Sequence, residues 1–168
     1  RPLARVAMEF TRAHLSDTQK RQLEALPLVY NGKDYTVVHS SLAAPEAFFY
    51  MDSVREVAFH FFEQETDVCF IGHTHIPGIY VQPEGTRKVE DWGCPEKLVL
   101  DRGHRYRVNV GSVGQPRDRD WRACYAIYTP TKREGEWRRL EYNVEATRDK
   151  INTAGRPPAL GERSLVGM

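Results

Sequence analysis

The 168-residue chain is long enough for one compact domain with a true core, and its 40% hydrophobic and 28% charged residues match the globular average. A balance of 24 Lys and Arg against 23 Asp and Glu excludes a strong field for polyanions, so the chain carries no strong nucleic-acid signal. No apolar run approaches the roughly 18 residues that cross a bilayer, and Cys69, Cys94 and Cys124 are odd in number and far apart, which points to reduced thiols in a cytoplasmic protein.

Leu3, Val6, Ala7 and Phe10 recur at helical spacing and predict a helix over 2–14. Ser16 and Gln19 then have the spacing of a capping box, and Leu23 and Leu26 carry a second short helix up to Pro27. Residues 28–30 and 35–38 flank Asn31-Gly32, a tight-turn signal, and predict a hairpin whose second strand ends in His39. After a loop broken by Pro45, a helix is expected from Met51 to Gln64, with Val54, Val57, Ala58, Phe61 and Phe62 on its inner stripe. Val68-Cys69-Phe70-Ile71 is a continuous apolar run, the pattern of a strand covered on both faces. Further strands are expected at 78–82, 97–101, 106–110, 124–129 and 137–142, then a helix at 145–153 and a tail from Gly155.

His39, His73 and His75 lie at or just beyond the ends of apolar strands, where a rigid element meets an open loop. Gly72 offers a sharp turn and close backbone approach to an ion, and Pro77 stiffens the exit. Neutral imidazoles at such a place suit a divalent transition ion, the bland alternative being solvated loop histidines. A second stretch, Asn109-Val110-Gly111-Ser112-Val113-Gly114-Gln115-Pro116-Arg117-Asp118, opens a β-rich run into a turn with a charged pair. Its amides and Arg117 could receive phosphate oxygens, or Arg117 and Asp118 could lock the loop beside the histidines. His60, between Phe59 and Phe61, reads as the margin of a packed face, and His14 and His104 sit beside arginines that would repel a cation. Lys132-Arg133 and Arg138-Arg139 read as solvated charges.

Val37-Val38-His39-Ser40-Ser41, Phe70-Ile71-Gly72-His73-Thr74-His75-Ile76-Pro77 and Asn109 to Asp118, in that order, resemble the calcineurin-like metallophosphoesterases, above all their small bacterial and archaeal branch. The ending Ala154 to Leu165 resembles that branch too, so the likeness covers essentially the whole chain. It implies an α+β fold, part of a four-layer α/β/β/α sandwich, and metal-dependent hydrolysis of a phosphoester substrate by a phosphomonoesterase or phosphodiesterase. It implies two divalent ions, Mn first, with Fe, Zn, Ni or Mg as alternatives. His39 and His73 would bind the second metal and His75 the first, with Gly72, Ser112, Arg117 and Asp118 supporting loop and substrate.

The family's D-x-H, G-D and G-N-H-[DE] motifs do not occur in this sequence, and they would carry the bridging carboxylate and the leaving-group acid. Residues 1–168 are therefore expected to be the carboxyl-terminal portion of a single domain whose partner is a missing amino-terminal half. The isolated chain is expected to hydrolyse weakly or not at all, and to associate through exposed apolar edges, as an aggregate or a homo-oligomer. The alternative is a catalytically silent binding or regulatory module that retains the fold. Gln82 to Lys97, with Trp92 and Cys94, is the expected specificity loop.

Overall fold

The structure, a computed structural model, describes residues 2–168. The chain opens with α1 (Pro2–His14) and α2 (Asp17–Glu24), then β1 (Val29–Asn31), β2 (Tyr35–Val38) and α3 (Val54–His60). A run of strands follows: β3 (Val68–Ile71), β4 (Gly78–Gln82), β5 (Glu90–Asp91), β6 (Lys97–Val99), β7 (Arg105–Asn109), β8 (Ala123–Thr129) and β9 (Glu134–Leu140). It closes with α4 (Val144–Thr153) and α5 (Pro158–Leu165). The fold is mixed α+β with two sheets, and no described helix is long and apolar enough to cross a membrane.

Two compact units result: residues up to Pro27 with Asn143–Val166, and Leu28–Tyr142 with Gly167–Met168. The first is helical. The capping box forms as expected, with the Gln19 amide donating to Ser16 Oγ at 3.3 Å and the Ser16 amide to Gln19 Oε1 at 2.9 Å. The segment from Gly155, expected as a tail, instead turns into α5, with Pro158 in its first turn where a missing N–H costs nothing. Arg156 lies 3.5 Å above the Phe10 ring and donates to the Val6 carbonyl at 2.8 Å.

The second unit holds both sheets, in the orders β1-β2-β3-β7-β4-β5 and β6-β9-β8. The pairs β2·β3 and β3·β7 are parallel, and the others antiparallel. The two-residue period of a strand sorts the side chains. Val68, Ile79, Val81, Tyr106 and Val108 meet Leu100, Cys124 and Trp137 on one side, forming the core between the sheets. Val38, Cys69 and Ile71 face the other way, onto Val57 from α3, onto Phe61 in the turn after it and onto Met51. Within this unit the layers run helix, sheet, sheet. Each fully buried Val or Ile contributes about 1.5–3 kcal/mol.

Several elements depart from expectation. The hairpin loop is centred on Lys33-Asp34, because Asn31 pairs with Thr36 and the Gly32 amide donates to the Tyr35 carbonyl at 2.8 Å. The helix expected from Met51 to Gln64 shrinks to α3, capped by Ser53, and tightens into a 3-10 turn over Phe61–Glu63. Val57 and Phe61 are buried, while Val54 and Phe62 face solvent. Strand β9 starts at Glu134 and ends at Leu140, not Tyr142. The described cysteines are all free thiols.

Candidate metal centre

Parallel pairing brings the informative loops to one end of the sheet. Thr36 is opposite Cys69 and Ile71 opposite Asn109, so the chain leaves β2, β3 and β7 at neighbouring points. The Gly72 amide donates to the His39 carbonyl at 3.0 Å, and the Val110 amide to the Ile71 carbonyl at 3.1 Å. Asn109, buried, crosslinks the loops: its Nδ2 donates to the Gly72 carbonyl at 3.0 Å and to Thr74 Oγ1 at 2.8 Å. Its Oδ1 accepts from the Gly111 amide at 3.1 Å, and its carbonyl from Trp137 Nε1 at 3.0 Å. Asn109 stands inside the third motif, but nothing in the sequence marks it as the residue that ties that motif to the second.

The sharp turning expected of Gly72 falls on the histidines. His73 and His75 adopt φ of 65° and 64°, in the left-handed region, whereas a Cβ on Gly72 would make only ordinary contact with His39 at 3.8 Å. A non-glycine residue held there costs on the order of 1–3 kcal/mol. Thr74 between them is buried, with its amide donating to the Gly72 carbonyl at 2.8 Å.

His39 and His73 come together. His39 Nε2 and His73 Nδ1 lie 3.1 Å apart, and the rings cross at 70°. Aromatic side chains from 48–50, which sequence reasoning missed, surround the pair. Tyr50 lies 4.2 Å from the His73 ring by centroid, and Phe48 5.6 Å from that of His39. The Ser40 hydroxyl donates to the Phe49 carbonyl and pins this loop. The signal was the Phe48-Phe49-Tyr50 run itself, three aromatics in a segment with no strand or helix period.

His73 Nε2 is buried without a hydrogen-bond partner of sound geometry. Burial depresses the His73 pKa, the His39 and His75 imidazoles and the Arg117 guanidinium depress it further, and the Phe48 backbone offsets this in part. Burial also lowers His39. Both rings are thus held neutral near pH 7, the form that ligates metals.

The His75 ring is oriented by the third loop. Its Nδ1 lies 2.7 Å from the Gln115 carbonyl, which only accepts, so Nδ1 carries the proton and the neutral ring has its lone pair on Nε2. The Arg117 amide returns a bond to the His75 carbonyl at 3.1 Å.

The remaining candidates hold the third loop in place. Ser112 Oγ accepts from the Gln115 amide at 3.0 Å, and Arg117 donates to Gln115 Oε1 at 2.9 Å. Asp118 pairs with Arg139, which also lies 3.7 Å from Asp120. Arg139 is therefore an ion-pair partner, not the solvated charge expected, and Arg133 is likewise engaged, 3.1 Å from Asp67 and bonded to the Leu100 and Asp101 carbonyls. His60 bonds Ser41 at 2.8 Å through Nδ1, at the margin of α3. His104 lies against Tyr106, and His14 stacks on Phe10.

Two nitrogens each about 2.0–2.1 Å from one ion lie roughly 2.8–3.4 Å apart at right or tetrahedral angles. The His39–His73 spacing fits that separation, and neutral imidazoles fit a transition ion. Among the described residues no group of three or more His, Cys, Asp or Glu side chains is arranged to hold a metal, so the three histidines do not by themselves form such a group and no carboxylate completes one. What fits an ion here is the His39–His73 nitrogen pair.

Residues 8–133 match the calcineurin-like phosphoesterase superfamily domain. A metallophosphoesterase of known structure from Sphaerobacter thermophilus is 35% identical and superposes with a TM-score of 0.86, over all of this chain and 70% of that one. An uncharacterized protein of Methanocaldococcus jannaschii is 32% identical over 168 residues, 96% of this chain and 65% of that protein, so the chain spans just under two thirds of this curated relative. A hypothetical protein of Pyrococcus horikoshii, 15% identical with a TM-score of 0.65 over 90% of this chain and 55% of its own, shares the fold.

Proposed function

Because this chain belongs to the calcineurin-like phosphoesterase superfamily, we propose that it contributes His39, His73 and His75 to a two-metal centre that hydrolyses a phosphoester. The observation that carries the reading is the 3.1 Å approach of His39 Nε2 to His73 Nδ1, with His75 oriented separately by the Gln115 carbonyl. That division suits two ions, one shared by His39 and His73 and the other taken by His75. Ions held by these residues would supply Lewis-acid stabilisation and activation of a water nucleophile at neutral pH. The chain's own part is positional. Asn109 and Thr74 hold the turn that carries His73, and the Gln115 carbonyl fixes the His75 tautomer.

Three neutral imidazoles do not balance two divalent charges, and hard ions such as Mn prefer oxygen ligands. We therefore assign the missing carboxylates and the leaving-group acid to a segment preceding Arg1, making residues 1–168 the carboxyl-terminal portion of one domain with little hydrolytic activity alone. Manganese is the first choice of ion, with Fe, Zn, Ni or Mg as alternatives. The free cysteines favour a cytoplasmic setting.

The test is to assay this chain, and a longer chain that includes its upstream coding sequence, against p-nitrophenyl phosphate and its bis ester with Mn added. The longer chain should turn over, with a loss of at least about 100-fold in His39→Ala and His73→Ala, a drop of roughly 2.7 kcal/mol in transition-state stabilisation. Full activity in those variants would overturn the assignment. A longer chain that binds Mn yet stays silent would favour the regulatory alternative.

A further inference from the structure

A second concave feature lies at the opposite end of the six-stranded sheet from the histidines. In the antiparallel pair β4·β7, Gly78 faces Asn109 beside the histidine loops and Gln82 faces Arg105 at the other end, about 13 Å away along five-residue strands. There a cavity of about 680 Å³ is lined by Arg55, Arg87, Arg105, Phe59, Phe62 and Thr86 among others, and no carboxylate is on its wall. That size is in the range of small-molecule sites.

We propose that this cavity binds a phosphate-bearing aromatic small molecule of mononucleotide size. Two features converge on that class. The first is uncompensated positive charge: among the described residues none of the three guanidinium groups forms an ion pair. Arg105 is fixed by bonds to the Phe61 carbonyl at 2.9 Å and the Gln64 carbonyl at 3.0 Å, and by Gln82. It thus brings a positioned charge to the wall, while Arg55 and Arg87 are exposed and able to close on phosphate oxygens with their planar forks. The second is unused aromatic surface. Phe59 and Phe62, three residues apart where α3 runs into its 3-10 turn, are 71% and 65% exposed. Rings so placed give a base a stacking surface. Arg87 already lies 5.8 Å from the Phe62 ring centroid, so cation and ring act as one surface. A bare anion would leave the rings unused, and a neutral aromatic would leave the charges unused.

The site is separate from the proposed metal centre, and its test needs no turnover. Calorimetric titrations of the chain in a chelating buffer, with AMP, adenosine and inorganic phosphate as probes, should show AMP binding at least about tenfold tighter than either component. Arg55→Ala/Arg87→Ala should weaken AMP at least roughly tenfold, and Phe59→Ala should remove most of the advantage over phosphate. Both substitutions touch exposed side chains, and an unchanged melting temperature would show that the fold is kept. His39→Ala/His73→Ala should bind AMP as the parent does. AMP binding no tighter than phosphate, no heat at millimolar AMP, or loss in the histidine variant with retention in the arginine variant would each overturn the proposal.

Discussion

Replacing Asn109 by alanine should couple stability to the geometry of the histidine turn. The side chain is 2% exposed and makes three hydrogen bonds, to the Gly72 carbonyl, Thr74 Oγ1 and the Gly111 amide. The consequences are unequal. The Gly72 carbonyl still accepts from the Thr74 amide at 2.8 Å, and the Thr74 hydroxyl can rotate to another acceptor. The Gly111 amide alone is left with no replacement. One orphaned buried donor costs about 1–3 kcal/mol and two weakened groups about 0.5–1 kcal/mol each, for a total of about 2–5 kcal/mol. For a chain of this size that corresponds to a fall in melting temperature of about 4–20 °C.

Urea unfolding followed by tryptophan fluorescence reads this directly, since Trp137 bonds the Asn109 carbonyl. A cycle with Thr74→Val should show coupling of about 0.5–1.5 kcal/mol, because the two side chains share a 2.8 Å bond. The second readout is the histidine pair. With the turn loosened, His73 should become better solvated and its NMR titration midpoint should rise toward the ordinary histidine value. A loss below about 0.5 kcal/mol with an unchanged His73 titration would refute the idea that Asn109 holds the site.

Other consequences are independent of that residue. Gly111→Ala would set a Cβ 2.8 Å from Cys124 Sγ and 3.3 Å from Pro77 Cβ at a φ of 80°, and should cost about 2–4 kcal/mol in a urea titration, while Gly114→Ala, with open space around it, should cost under about 1 kcal/mol. His39, His60 and His73 all have depressed pKa values in the fold, with burial as the leading cause, so the native state binds fewer protons than the unfolded state and stability should fall as pH drops below about 6.5 through their folded values. Melting temperatures at pH 7.5, 6.0 and 5.0 should decline in that order; Asp120, held at about 2 chiefly by Arg122, adds a loss only below about pH 4. Asp118→Asn should cost about 1–2 kcal/mol, because Arg139 is left part-buried with only Asp120 at 3.7 Å, whereas Glu9→Gln, which breaks the exposed pair with Arg5, should stay within about 0.5 kcal/mol.

Period and punctuation made much of the fold legible. The apolar run Val68–Ile71 became a strand covered on both faces, and the Ser16/Gln19 spacing became a capping box. Other features were set by what neighbours do. Arg105-Tyr106-Arg107-Val108 alternates charge with apolar side chains, the pattern of a half-exposed strand, yet Arg107 is fully buried. Its guanidinium donates to the His60 carbonyl and lies 5.4 Å from the Phe61 ring centroid, because α3 covers that face. Alternation says which residues share a face; it does not say what covers them. Strand β5, two residues long, is too short to show any period. The segment from Gly155, expected as a tail, opens α5 with its Pro157-Pro158 pair.

The histidines divide along the same line. Their positions at strand ends could be read from apolar runs, and so could their order. Their directions could not, because a side chain beyond the last paired residue takes its aim from the loop. Here the aim is set by backbone that a histidine adopts only at a cost, at residues 73 and 75 alike, with Thr74 anchored between them. Such a conformation persists only where surrounding bonds over-determine it, and Asn109, the Gln115 carbonyl and the Arg117 amide supply those bonds. The third motif, which carries no imidazole, thus orients the imidazoles of the second. Strain at the two ring-bearing residues, and three separate contacts that hold it, are the pattern of a site whose geometry matters more than its local stability.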